Sequence, residues 1–307
     1  MHSEILSTDL QRNLAVALRA SLIAGDAVMR VYSTDFEVNL KSDQSPITEA
    51  DRQSHGILLA QLNKAIPLLS EEGSKIAYEE RKDWGTYWLI DPLDGTKEFV
   101  KRNGEFTINV ALIEQCSPIA GIVYVPAKGI LYFGARGFGS YRVSGAAVDK
   151  IKESADVLKS ALVPAVPLPF ARNPEPPEKI KVVQSVSHVS EKEEDFIAGL
   201  RAKFGSIDTA SAGSSLKFCL VAEGSADLYP RFGPTMEWDT AAGQCIAESS
   251  GCEVLDLEDV SPVRYNKPVL RNSAFMVIGS QFRLESSRRK SVLECARASG
   301  NVSAHPK

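Results

Sequence analysis

Thr86-Tyr87-Trp88-Leu89-Ile90-Asp91-Pro92-Leu93-Asp94-Gly95-Thr96 is the stretch on which the reading of this chain turns. Its first five residues are β-branched, aromatic or aliphatic, the composition of a strand. The run stops abruptly at Asp91-Pro92, because proline cannot donate to a sheet ladder. Gly95-Thr96 then lead into a short helix begun by Lys97-Glu98-Phe99. Carboxylates at the carboxyl end of a strand point into a crevice rather than into the core. Asp91 and Asp94, three residues apart around a tight turn, can both reach one hard cation, and the Leu93 carbonyl can add a further oxygen. Oxygen-only ligation suits magnesium. The Gly95 and Thr96 amides, at a helix N-terminus, form an anion site beside it. A cation next to an anion pocket is what phosphoryl transfer needs. On its own the segment also fits a structural turn, since Asp-Gly turns and Asp or Thr caps are common.

Three further segments concentrate acids where periodicity does not require them: Thr48-Glu49-Ala50-Asp51, Ser70-Glu71-Glu72 and Glu237-Trp238-Asp239. Each has a plain structural explanation. Asp51 can complete a cap with Thr48, Glu71 and Glu72 can lie in a solvated loop, and Asp239 can favour the positive end of its helix. All four segments together, in this order and with these neighbours, are hard to explain that way.

Outward from the motif, strand signals come in series at Phe106 to Ile113, Ile119 to Val125, Ile130 to Phe133 and Ser140 to Val143. Gly104, Pro126 with Gly129, and Gly137 with Gly139 separate them, so an antiparallel meander is expected. Toward the N-terminus, Thr8 to Gln11 reads as a capping box. Leu10, Leu14, Leu18 and Leu22 recur at helical spacing, and Val28 and Val31 extend the stripe. A polar loop over 41–46 precedes a second helix capped by Thr48, with Leu58, Leu59, Leu62 and Ile66 as its apolar face. Residues 145–178 hold Pro164, Pro167, Pro169, Pro174, Pro176 and Pro177 and read as a linker or surface excursion. Beyond it a strand (180–183) and helices over 191–204, 215–223 and 238–250 alternate, which implies an α/β layer. The expected organisation is an N-terminal α+β lobe over 1–147, a C-terminal α/β lobe over 148–284 and a mobile tail over 285–307.

Bulk properties narrow the function. A hydrophobic content of 44% supports a sizeable core without a disulfide or zinc staple. The net charge of −4 argues against a nucleic-acid polymer as partner but leaves room for a single nucleotide. Five cysteines without CxxC spacing read as thiols in a reducing compartment, and four histidines make a His/Cys zinc site a poor expectation. The N-terminus lacks the pattern of a secretory signal, and no stretch reaches the length of a membrane span. A cytoplasmic protein is expected.

The segments SPITEAD (45–51), LSEE (69–72), WLIDPLDGTKEFVKRNGEFTINVALIE (88–114), GSSLKFCLVAEGSADLYPRFGPT (213–235) and EWDTAAGQ (237–244) together resemble the inositol monophosphatase superfamily of magnesium-dependent, lithium-sensitive phosphatases. The resemblance spans about residues 14–280 and is closest to the 3′(2′),5′-bisphosphate nucleotidase branch. It implies a mixed α and β fold, a two-lobed, layered αβαβα sandwich of the inositol monophosphatase and fructose bisphosphatase type. It implies two or three Mg2+ ions: Glu71, Asp91 and the Leu93 carbonyl at the first, Asp91, Asp94 and Asp239 at the second. Thr96 would orient the attacking water, Asp51 would hydrogen-bond Thr96 so that its hydroxyl accepts the water's proton, and Glu71 would assist. Gly95, Thr96, His188, Ser214, Lys217, Arg231 and Asp239 would contact substrate. The implied reaction converts 3′-phosphoadenosine 5′-phosphate to AMP and phosphate, clearing a by-product of sulfate assimilation. The alternatives are an inositol or sugar phosphatase, or a non-catalytic nucleotide-binding regulator on the same fold. A monomer or homodimer is expected. The proline-rich stretch and the charged tail depart from the family pattern without removing a site residue.

Overall fold

The computed structural model describes residues 6–40, 46–73, 75–170, 179–185 and 190–300. Two large sheets run through it, beside a two-stranded pairing of Asn39–Leu40 with Pro46–Ile47. The larger has seven strands in chain order: Leu68–Ser70, Thr86–Asp94, Thr107–Glu114, Ser117–Val125, Ile130–Ala135, Gly139–Ser144 and Val166–Pro167. Only the first pair is parallel, and the rest is the expected meander. The smaller sheet orders its five strands as Ile207–Ala212, Ile180–Ser185, Leu228–Arg231, Phe275–Ile278 and Glu253–Asp256.

Period-two alternation along the strands builds the layers. In the motif strand, Trp88 and Ile90 join a core with Leu14, Leu18 and Leu22 of the helix Thr8–Tyr32. Tyr87 and Leu89 face the other way, into a core with Phe218, Ala241 and Ile246 from the helices Leu216–Ala222 and Glu237–Ser249. The same central core takes Val183, Tyr229 and Val277 from one face of the small sheet. The opposite face, with Val182, Leu228 and Met276, packs on Phe196 and Leu200 of the helix Glu191–Phe204 and on Val292 and Ala296. The result is an αβαβα sandwich, as expected. Gly121 lets the middle helix sit close on the large sheet: a Cβ there would stand 2.5 Å from the Ala242 carbonyl oxygen.

Several local expectations are corrected. The first helix is capped by Ser7, whose Oγ accepts from the Leu10 amide at 3.2 Å, and not by a Thr8–Gln11 box. Gln11 instead reaches back to donate to the Leu6 carbonyl at 2.8 Å. Leu59 leaves the apolar face of the second helix (Glu49–Gln61): it is 43% exposed, whereas Leu58 and Leu62 are buried. The helix ends before Ile66. Residues 146–167 are not an irregular linker. They form the helices Ala146–Glu153 and Val157–Leu162 and the edge strand Val166–Pro167, and Val148, Ile151, Val157 and Ala161 join the core of the first helix. Only 171–178 of the proline-rich stretch lies outside the described residues. Residues 286–300, expected to be a mobile tail, form a helix that buries Val292, Leu293, Cys295 and Ala296. Those anchors are few and mostly small, which is why the sequence reads as solvated. Among the described residues no helix is long and apolar enough to cross a membrane.

Candidate active site

The motif strand continues through Asp94 rather than stopping at Pro92. It does so with a register shift between Asp91, opposite Asn109, and Asp94, opposite Thr107. A bulge of this kind re-aims side chains at a sheet edge, and here it turns two acids into one cleft. Gly95 follows with φ +87°, and a Cβ at that position would stand 2.1 Å from Ser214 Oγ. Glycine is required on both counts. The Ser54 hydroxyl, from the second helix, donates to the Pro92 carbonyl at 2.6 Å and fixes the turn.

The cleft encloses about 310 Å³ and is lined by elements of both the larger and the smaller sheet. Glu71, Asp91, Leu93, Asp94, Gly95 and Thr96 line it from the large-sheet side, and Ser214, Lys217, Arg231 and Asp239 from the small-sheet side. Glu71, Asp91 and Asp239 each offer a carboxylate oxygen within 4.8 Å of the others. Burial pushes the Asp91 carboxyl well above the ordinary range, and the charges of Glu71, Asp94 and Asp239 add to the shift. Burial, with the Asp94 charge, raises Asp239 likewise. Three oxygen donors that repel one another so strongly form a site for a hard divalent cation, which would neutralise them. The donor set therefore fits magnesium.

Asp94 stands in the same cleft but outside that three-carboxylate cluster. Its Oδ2 accepts from the Ser215 amide at 2.7 Å, Ser215 Oγ at 2.8 Å, Asn109 Nδ2 at 3.3 Å and Thr107 Oγ1 at 3.4 Å. Burial raises its pKa, while Lys217 and the Ser215 donors pull it back. Thr96 Oγ1 lies 3.3 Å from Asp51 Oδ1 and 3.4 Å from the Leu93 carbonyl oxygen. Asp51 fills both roles that the sequence leaves open. Its Oδ2 accepts from the Thr48 amide and hydroxyl, each at 2.7 Å, completing the capping box, and its Oδ1 is turned to Thr96.

Of the cations lining the cleft, Lys217 and Arg231 are buried and Lys97 is exposed. Lys217 Nζ donates to the carbonyls of Ser214 at 2.6 Å and Ala212 at 3.2 Å, and burial lowers its pKa to about 8. Arg231 donates to the Pro234 carbonyl at 3.3 Å, and its buried Nε has no hydrogen-bond partner among the described residues. Neither forms an ion pair among the described residues. The Ser214 hydroxyl is turned to the backbone, within 2.9 Å of the Asp94 carbonyl oxygen and 2.7 Å of that of Glu105. His188 lies outside the described residues. Glu237, part of an acidic segment in the sequence, is fully buried and has a structural role. It accepts from the amides of Asn266 at 2.8 Å and Lys267 at 2.9 Å, which sets the start of the helix that presents Asp239. Sequence reasoning leaves Ser54, Asn109 and Ser215 unassigned. Small neutral side chains carry no pattern until the fold shows what they touch.

The chain matches the model of the inositol monophosphatase family over residues 9–286. The 3′(2′),5′-bisphosphate nucleotidase CysQ of Salmonella typhimurium is 46% identical over 238 residues, which is 76% of this chain and 86% of that protein. The CysQ of Escherichia coli K12 is 44% identical over the same shares. The crystal structure of CysQ from Bacteroides thetaiotaomicron, a bacterial member of the inositol monophosphatase family, superposes with a TM-score of 0.80 at 42% identity. The superposition covers 89% of this chain and 99% of that one. On these matches the chain is an enzyme of the inositol monophosphatase family, related to the CysQ 3′(2′),5′-bisphosphate nucleotidases.

Proposed function

We propose that this enzyme uses magnesium, in two or three ions, to hydrolyse the 3′-phosphate of 3′-phosphoadenosine 5′-phosphate, giving AMP and inorganic phosphate. One observation carries the reading: a carboxylate cluster around the buried Asp91 and the buried cations Lys217 and Arg231, neither of them in an ion pair among the described residues, share a single cleft. The carboxylates Glu71, Asp91, Asp94 and Asp239, with the Leu93 carbonyl, would hold the metal. When bound, magnesium supplies Lewis acidity that brings a water toward deprotonation near neutral pH and neutralises charge on the phosphoryl group.

The chain's own groups do the rest. Thr96 Oγ1 orients the attacking water and accepts its proton, and Asp51 takes up the hydroxyl hydrogen of Thr96. Glu71 assists. The water oxygen bonds to phosphorus as the bond to the ribose 3′-oxygen breaks; that oxygen takes a proton from solvent, and Asp51 returns to solvent the one it accepted. Lys217 and Arg231 suit the second, 5′-phosphate. A phosphate would give the orphan Arg231 Nε a charge-assisted partner and hold Lys217 in its charged form. The amides of Gly95 and Thr96 and the region of Ser214 and His188 complete the nucleotide site in this reading. The enzyme would act in the cytoplasm as a monomer or homodimer.

A comparison of two substrates tests the cation assignment. Lys217→Ala should lower kcat/KM on 3′-phosphoadenosine 5′-phosphate about 10- to 150-fold, the cost of one lost charge-assisted contact of about 1.5–3 kcal/mol. On 3′-AMP, which lacks the 5′-phosphate, it should change little. Equal losses on both would remove Lys217 from 5′-phosphate recognition.

A further inference from the structure

We infer that Ser215 is a positioning residue that locks Asp94 into a one-oxygen binding mode and ties it to Asp239, so that ligands from the two lobes act as one metal site. This rests on the magnesium reading above. The observation is where the donors converge. The amide and hydroxyl of Ser215 both lie on Asp94 Oδ2, at 2.7 and 2.8 Å, with Asn109 and Thr107 behind them. A carboxylate oxygen has about two lone-pair directions. Oδ2 is therefore used up by the protein, and Oδ1 is the oxygen left for a cation.

The same hydroxyl lies 2.6 Å from the Asp239 carbonyl oxygen and accepts from Asn109 Nδ2 at 2.8 Å. It has one proton to give. Whichever acceptor takes it, Ser215 stands between the ligand at the end of the motif strand and the first turn of the helix that presents Asp239. Ser215 is 2% exposed, so no water replaces the hydroxyl without a rearrangement. Its neighbour Ser214 reaches the Asp94 carbonyl oxygen at 2.9 Å, so the dipeptide grips both the side chain and the main chain of one ligand. Two residues further on, Lys217 donates back to the Ser214 carbonyl at 2.6 Å. The turn that orders the metal ligand thus also holds the cation assigned to substrate.

The test is magnesium binding by Ser215→Ala, followed by calorimetry and by the magnesium-induced rise in melting temperature, with the metal-free melting temperature as the control for folding. Loss of a group that orients a ligand typically costs 10- to 100-fold in metal affinity. Ser215→Ala should weaken magnesium at least tenfold while the metal-free protein melts close to wild type. Ser215→Thr, which keeps the hydroxyl, should stay within about threefold. Wild-type affinity in a folded Ser215→Ala would overturn the inference while leaving the magnesium reading standing. No binding by the wild-type protein would instead remove that reading. Should Ser215→Ala fail to fold, Asn109→Ala removes another donor to the same oxygen and carries the test with the same two outcomes.

Discussion

Burial raises the pKa of the Asp91 carboxyl, and the charges of Glu71, Asp94 and Asp239 raise it further. Such a shift is also a statement about stability. In the unfolded chain the group loses its proton in the ordinary carboxylate range. Above that range the metal-free folded state binds more protons than the unfolded one, so stability falls as pH rises through the folded pKa. The metal-free protein should therefore gain melting temperature on mild acidification, and magnesium should flatten the dependence. Asp91→Asn mimics the protonated form. It should melt higher than wild type without metal, respond little to magnesium and lose turnover. A lower metal-free melting temperature with unchanged response to magnesium would remove Asp91 from the cluster. At Gly95 the demand is steric. Gly95→Ala combines a φ of +87° with a Cβ 2.1 Å from Ser214 Oγ. It should cost about 1–3 kcal/mol in urea unfolding and shift the Ser214 grip on Asp94. A fully stable, active Gly95→Ala would show that the turn relaxes.

At the scale of elements, what periodicity governs is legible and what tertiary contact governs is not. Leu14, Leu18 and Leu22 repeat along one helix face, and all three are buried. The meander shows itself because glycine or proline punctuates most of its turns; the exception is Gln115-Cys116, where two non-glycine residues take positive φ. By contrast, the stretch 146–167 carries short helices whose anchors are spaced one turn apart amid charge, and its prolines outweigh them to the eye. The strands Leu228–Arg231 and Phe275–Ile278 have four residues each, too few for alternation to declare itself. Leu59 is expected on the apolar stripe of its helix yet faces out, because it stands about 100° round the helix from Leu58, and it is Leu58 and Leu62 that take the buried face. The contrast is measurable. Leu22→Ala should cost about 2–5 kcal/mol, whereas Leu59→Ala should stay within about 0.5 kcal/mol. Equal costs would contradict the packing described here.

For the whole molecule, the site exists because elements of the large sheet and of the small sheet line one cleft. The sequence displays the acids, since carboxylates at a strand end and at a helix start have few other reasons to gather. It does not display Ser54, Asn109 or Ser215, whose hydrogen bonds cross between elements distant in the chain. Nor does it separate Glu237, which anchors a helix, from Asp239 two residues on, which faces the cleft. The helix over 286–300 covers Phe196 and Phe282 from outside. Deleting it should lower the melting temperature and admit a hydrophobic dye while leaving the metal ligands in place; an unchanged melt would mean that the helix contributes nothing to the core. The charge of Lys217 ties the cleft to pH. Its pKa of about 8 means that the free enzyme loses this cation above that pH, so kcat/KM should fall there. In Lys217→Arg, whose guanidinium stays charged, the fall should move to higher pH, and an unshifted profile would assign it to another group. The most direct measurement is phosphate release from 3′-phosphoadenosine 5′-phosphate and from inositol 1-phosphate, each with magnesium and with chelator. Magnesium-dependent release that strongly favours the nucleotide is the predicted result. Preference for the inositol ester, or release that survives the chelator, would contradict the account.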